Sequence, residues 1–199
     1  EVAQGYQDVT ETSVYVKFKS LEDDFYFLSW TTTPWTLPGN VALAINPKAK
    51  YVKIKTKNGE LFVLAKDRLE LIDGGYETVG EFIGKELVGS HYKPLFDIPS
   101  LRSDKSYKIY PADFVTTDEG TGIVHTAVMY GEDDYELGKK IGLPTHHTVD
   151  ESGRFTEEVK DFAGQYVKEA DAGIIEYLRS SGALFKTEEF THPYPFCWR

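Results

Sequence analysis

Tyr51-Val52-Lys53-Ile54-Lys55-Thr56-Lys57-Asn58-Gly59-Glu60-Leu61-Phe62-Val63-Leu64-Ala65 is the stretch that decides the fold class. From Tyr51 to Lys57 the residues alternate between apolar and polar, the period of a strand with one buried face. Asn58-Gly59 follows, and both residues accept the positive φ of a tight hairpin turn. Glu60 to Ala65 then runs apolar again, which predicts a β-hairpin. Working outward, Ser13 to Lys19 alternates with Val14, Val16 and Phe18 on one face. Phe25 to Thr33 is aromatic and Thr-rich, and Val41 to Ile45 is closed by Asn46-Pro47. Tyr107 to Tyr110 and Gly122 to Ala127 add two short strand candidates. Helical signals are fewer. Lys66 to Ile72 is a short candidate. Glu132 to Ile141 has acids in its first turn, Lys139-Lys140 near its end and Gly142 after it. Lys168 to Ser181 carries Ala170, Ile174, Ile175 and Leu178 at helical spacing, with Gly182 as a stop. The expectation is a β-dominated α+β fold, a barrel or sandwich-like core with peripheral helices.

Composition fits one domain. The chain has 199 residues, 41% of them hydrophobic and 14% aromatic, enough for a core without disulfides. Cys197 is the single cysteine, which excludes an internal disulfide and fits a reducing cytoplasm. No apolar run approaches the roughly 20 residues that span a bilayer, and the N-terminus lacks a signal-peptide pattern. The chain opens on Glu1, holds its one Met at Met129 and stops at Trp198-Arg199, so a piece of a longer protein is expected. The net charge of -10 opposes autonomous binding of a polyanion.

Two segments carry chemistry. In Trp30-Thr31-Thr32-Thr33-Pro34-Trp35-Thr36-Leu37-Pro38-Gly39-Asn40 the three Thr favour a strand, and Pro34 and Pro38 force it into an irregular loop. Alternation sets Thr31 and Thr33 on one face and Thr32 on the other. Hydroxyls that both donate and accept can hold a water; equally, the stretch reads as a β-branched edge strand running into a loop. The second segment is Gly120-Thr121-Gly122-Ile123-Val124-His125-Thr126-Ala127, followed by Gly131-Glu132-Asp133-Asp134-Tyr135. His125 near a strand end and Asp134 in the first turn of a helix can converge on one pocket, where a carboxylate would bind an ammonium group. The plainer alternatives are a structural His and acids that cap a helix. Gly120-x-Gly122 has neither dinucleotide nor Walker spacing. Adjacent His146-His147 would point to opposite faces of a strand, poor metal geometry, and Glu22-Asp23-Asp24 reads as a solvated turn. No metal site is assigned.

Together these segments resemble the editing insertion of isoleucyl-tRNA synthetases, in the class I aminoacyl-tRNA synthetase family. Thr31 to Asn40 looks like that family's threonine-rich loop. Gly120 to His125 with Gly131 to Tyr135 looks like its second pocket segment, and His192 to Arg199 is similar to the return toward the catalytic core. Valyl and leucyl relatives carry Arg where this chain has Thr33 and lack the Pro34-Trp35 pair. The resemblance implies a distorted β barrel with peripheral helices, formed by residues 1–199 as one editing domain, with 190–199 starting the return segment. It implies that Thr31, Thr32, Thr33, Trp35 and Thr36 line the amino-acid pocket. Thr32, Thr33 and Asn40 would help place water or ester, His125 would limit side-chain size and contact substrate, and Asp134 would bind the α-ammonium. The family pattern expects Pro after Ala127, where this chain has Val128-Met129-Tyr130. It also supplies a second Cys two residues after Trp198, so Cys197 is half of a CxxC.

The implied activity is hydrolytic proofreading: deacylation of valine from the 3′ end of tRNA(Ile), and of valyl-adenylate, with isoleucine excluded. One methylene is worth only about 1–3 kcal/mol in an apolar pocket, a limit for which isoleucyl-tRNA synthetase is the standard worked example. A second, smaller pocket answers it. The implied partners are that charged tRNA and the remainder of the synthetase, in the cytoplasm and away from membranes. No cofactor is expected in this chain. Neither His-Ile-Gly-His nor Lys-Met-Ser-Lys-Ser occurs, so ATP, and zinc with it, would belong to the rest of the parent enzyme. The rival expectations are a non-catalytic tRNA-docking insertion and a free-standing deacylase.

Overall fold

The structure is a computed structural model that describes the backbone of residues 5–196 and the side chains of 10–191. Cys197, the half-CxxC position, lies outside the described residues. The expected hairpin is present as β4 (Lys50–Thr56) and β5 (Leu61–Ala65), in register Tyr51↔Ala65 and Ile54↔Phe62. Gly59 turns it with φ 85. Around it the chain builds β1 (Gly5–Lys19), β2 (Tyr26–Thr31), β6 (Tyr76–Ile83) and β9 (Leu184–Phe196) into a six-stranded sheet ordered β6-β4-β5-β2-β1-β9. Only β2 and β5 are parallel in it, with Tyr26 opposite Phe62 and Phe27 opposite Val63. The smaller sheet is β7-β3-β8, from β7 (Lys108–Pro111), β3 (Ala42–Ile45) and β8 (Ile123–Thr126).

The sheets bury one main core. Val14, Val16, Phe18 and Phe27 of the large sheet meet Leu43, Ile45, Ile109 and Ile123 of the small one. Ala170, Ile174 and Leu178 close it from the helix α2 (Val167–Ser180). The helix α1 (Glu132–Ile141) follows β8 and ends at Gly142, whose φ of 80 supplies the left-handed stop.

The strand-dominated α+β character is as expected, but no closed barrel is found among the described residues. Both sheets are open, with β6 and β9, and β7 and β8, at their edges. They are seamed by single bonds in place of a ladder. Ala65 N–H donates to Thr121 O at 2.8 Å, the Ser29 hydroxyl to Ile123 O at 2.8 Å and the Tyr51 hydroxyl to Gly122 O at 2.6 Å. Gly120 and Gly122, at φ 56 and 73, turn the chain there and stop strand pairing from running across.

Other differences are local. Lys66–Leu71 is a 3-10 segment broken at Arg68 (φ -113, ψ 19), so the expected helix there is not an α-helix. The strand expected to reach Thr33 stops at Thr31, because a 3-10 turn, Pro34–Gly39, begins at Pro34.

Candidate active site

The threonine loop is held from both ends. Pro34 occupies the first turn of Pro34–Gly39, where its missing N–H costs nothing. The next orphan donor, Trp35 N–H, is taken by the Asp171 carboxylate from α2 at 2.9 Å. Inside the loop Thr33 N–H donates to Thr31 Oγ1 at 3.2 Å, and the Thr31 and Thr33 hydroxyls lie 3.3 Å apart. Thr36 Oγ1 is 3.4 Å from Thr33 Oγ1 and donates to Thr33 O at 2.8 Å. Thr32 stands outside this network, consistent with its place on the opposite face of the strand end.

His125 reaches the same cluster from β8, where it pairs opposite Leu43. Its Nε2 is 2.9 Å from Thr36 Oγ1. The Thr36 hydroxyl proton is committed to Thr33 O, so Nε2–H is the donor in that contact. Nδ1 is then the unprotonated nitrogen and accepts from the Asn40 amide N–H, at a long 3.5 Å. Asn40 is itself fixed in orientation: its Nδ2 donates to Ala42 O at 2.9 Å and its Oδ1 accepts from the Tyr92 hydroxyl at 2.7 Å. Burial lowers the His125 pKa to about 4, so the ring is neutral at physiological pH. A neutral imidazole with both nitrogens engaged is a fixed wall and dipole.

Asp134 lies in the first turn of α1 and accepts Ala127 N–H at 3.2 Å, which ties the helix start to the end of β8. Burial raises its pKa to about 6, against the Ala127 hydrogen bond, and the neighbouring Asp133 charge pushes the same way as burial. Among the described residues it has no cationic partner. A half-buried carboxylate lacking a counter-charge could receive one.

The structure therefore joins Thr31, Thr33, Thr36, Asn40 and His125 in one hydrogen-bonded cluster. Asp134 is linked to it through the backbone of Ala127, not by direct contact. Trp35 is placed by Asp171 and by an edge-to-face contact with Tyr130, ring centroids 5.2 Å apart. Sequence reasoning missed Tyr92, Tyr130, Thr148 and Asp171. The one available signal lay at Val128-Met129-Tyr130, where the chain departs from the expected Pro after Ala127. Among the described residues no group of three or more His, Cys, Asp or Glu is placed to hold a metal ion. His146 instead pairs with Glu158, and His147 lies against the Tyr130 ring. No helix among them is long and apolar enough to cross a membrane.

The chain is similar over its whole length to curated isoleucine–tRNA ligases. It is 51% identical over 201 residues to that of Clostridium novyi (strain NT) and 46% over 201 residues to that of Bacillus thuringiensis (strain Al Hakam). The chain belongs to the isoleucine–tRNA ligase family. It covers 19% of the length of those two ligases. No protein-family model matches. Among solved structures, GlLeuRS-CP1 aligns with TM-score 0.70 at 15% identity, covering 89% of this chain and 100% of that one. The cytosolic leucyl-tRNA synthetase editing domain of P. falciparum (space group P1) aligns with TM-score 0.65 at 11% identity, over 89% of this chain and 99% of that one. At such identities the likeness is one of fold: the ligase segment has the architecture of synthetase editing domains.

Proposed function

We propose that this chain is the hydrolytic proofreading domain of an isoleucine–tRNA ligase, and that it deacylates valine from tRNA(Ile) while refusing isoleucine. The observation that carries this is the cluster of Thr31, Thr33, Thr36 and Asn40 hydroxyl and amide groups locked onto a neutral His125, with the unpaired carboxylate of Asp134 beside it. Asp134 holds the α-ammonium of the aminoacyl ester. The threonine hydroxyls and Asn40 orient a water against the ester carbonyl, and His125 closes the side-chain end of the pocket. Water adds to the carbonyl carbon and the ester C–O bond breaks. The ribose oxygen leaves as a hydroxyl, its proton relayed by the neighbouring ribose hydroxyl. The aminoacyl ester is already activated, so orientation and proximity suffice without a covalent nucleophile. The same pocket accepts valyl-adenylate.

In this reading the charged tRNA and the rest of the ligase are the partners, and the cytoplasm is the place. ATP and zinc belong to the remainder of the enzyme. The test is hydrolysis of Val-tRNA(Ile) and Ile-tRNA(Ile) by the full-length ligase and its Asp134→Ala variant. Rapid loss of valine only, abolished by the substitution, is expected. A wild-type enzyme inert on both substrates would leave a non-catalytic docking insertion as the better description.

A further inference from the structure

Tyr130 sits where the threonine loop, the end of β8 and the 148–149 segment meet. Its ring edge stands against the Trp35 indole at 5.2 Å between centroids. It also lies so close over Gly39 that a Cβ built there would come within 2.8 Å of Tyr130 Cε2 and 3.4 Å of Thr148 Oγ1. Its hydroxyl is held at the far end, accepting the backbone N–H groups of Thr148 at 2.8 Å and Val149 at 2.9 Å, with Thr148 Oγ1 at 2.8 Å. The ring is thus anchored on a different segment from the one it touches. Trp35 also packs against the main core and its backbone is tied to Asp171, but no hydrogen bond orients its indole: the ring N–H is buried without a partner among the described residues.

We infer that Tyr130 is a positioning residue that sets the size cut-off of the pocket, by pinning Trp35 and the Pro38-Gly39-Asn40 turn against the 148–149 segment. Gly39 is part of the device, since any side chain there displaces the Tyr130 ring. The inference rests on the hydrolytic reading above and adds to it a determinant of side-chain size separate from His125. The ring contacts matter for the cut-off and the hydroxyl matters for anchoring. The two halves are therefore separable by substitution.

The experiment uses the full-length ligase with Tyr130→Ala, Tyr130→Phe and Gly39→Ala, measuring initial hydrolysis rates on Val-tRNA(Ile) and Ile-tRNA(Ile). Tyr130→Ala is expected to raise the Ile-to-Val rate ratio by about tenfold or more, the scale of one methylene in an apolar pocket. Tyr130→Phe, which keeps the ring, is expected to restore most of the discrimination. Gly39→Ala tests the same contact without truncating it and should move the ratio in the direction of Tyr130→Ala. Aminoacylation activity and melting temperature report whether each variant is folded. An Ile-to-Val ratio unchanged in both Tyr130→Ala and Gly39→Ala, in folded enzyme that still hydrolyses Val-tRNA, overturns the inference and leaves the proofreading reading standing. A wild-type enzyme that hydrolyses neither substrate overturns that reading, and the inference with it.

Discussion

At the scale of single residues, burial shifts the titration of the groups in the proposed site. Asp134 is the sharpest case. Its pKa of about 6 lies above the 3.8 of an exposed carboxyl, so between those values the folded chain binds more protons than the unfolded one. Stability contributed by this group is therefore present at low pH and lost as pH rises through about 6. Asp134→Asn is expected to raise the melting temperature at pH 7 and to abolish deacylation of Val-tRNA. Below about pH 6, kcat/KM of the wild type should fall as the carboxylate takes a proton. Asp171 titrates in the same range, its carboxyl raised to about 6 by burial, so Asp171→Asn must be profiled alongside. An acid limb that survives in Asp171→Asn belongs to Asp134. Tyr92 supports a second prediction. Removing its hydroxyl leaves Asn40 Oδ1 buried without a donor, at a cost of about 1–3 kcal/mol. Tyr92→Phe should lower the deacylation rate severalfold while sparing aminoacylation. Equal rates would show that Asn40 needs no second anchor.

Elements were legible in the sequence wherever the signal was local. The Asn58-Gly59 turn announced the β4–β5 hairpin, and acids, lysines and a following Gly bounded α1 at its observed limits. β6 and β9 were missed for a physical reason. β6 is an edge strand exposed along most of its length, so no burial pattern marks it. β9 carries Glu188 and Glu189, and Pro193 and Pro195 besides, tolerable only because the strand lies at a sheet edge and pairs with β1 from the far end of the chain. The threonine loop, His125 and Asp134 stood out as motifs. Tyr92, Tyr130 and Asp171 did not, because each acts through a contact distant in sequence. The Gly120–Ile123 seam yields a prediction at this scale. Gly122 has φ 73, and an added Cβ would lie 2.4 Å from Ala65 Cβ. Gly122→Ala should destabilise the fold by at least about 1–3 kcal/mol, lowering the melting temperature by about 2–4 °C per kcal/mol. A thermal melt matching wild type would mean that the seam yields without cost.

Across the whole molecule the decisive quantity is charge. At -10 the chain repels a polyanion at long range, whereas every residue of the proposed site belongs to the chain itself. The isolated chain should therefore bind a small valyl-adenosine ester analogue in preference to the isoleucyl one, and bind whole tRNA far more weakly than the full ligase does. Calorimetry with the two analogues, and filter binding of tRNA at two salt concentrations, would check both halves. Tight tRNA binding by the chain alone would contradict the charge argument. The pairing of β1 with β9 has a different bearing at this scale. The ladder extends out to Gly5 opposite Phe196, so the polypeptide enters and leaves side by side, about 4.5–5.5 Å apart. A unit hung on such a two-stranded stalk interrupts its host's backbone without prising the flanking residues apart. Under the insertion reading proposed above, a host would meet this unit at two attachment points one strand spacing apart.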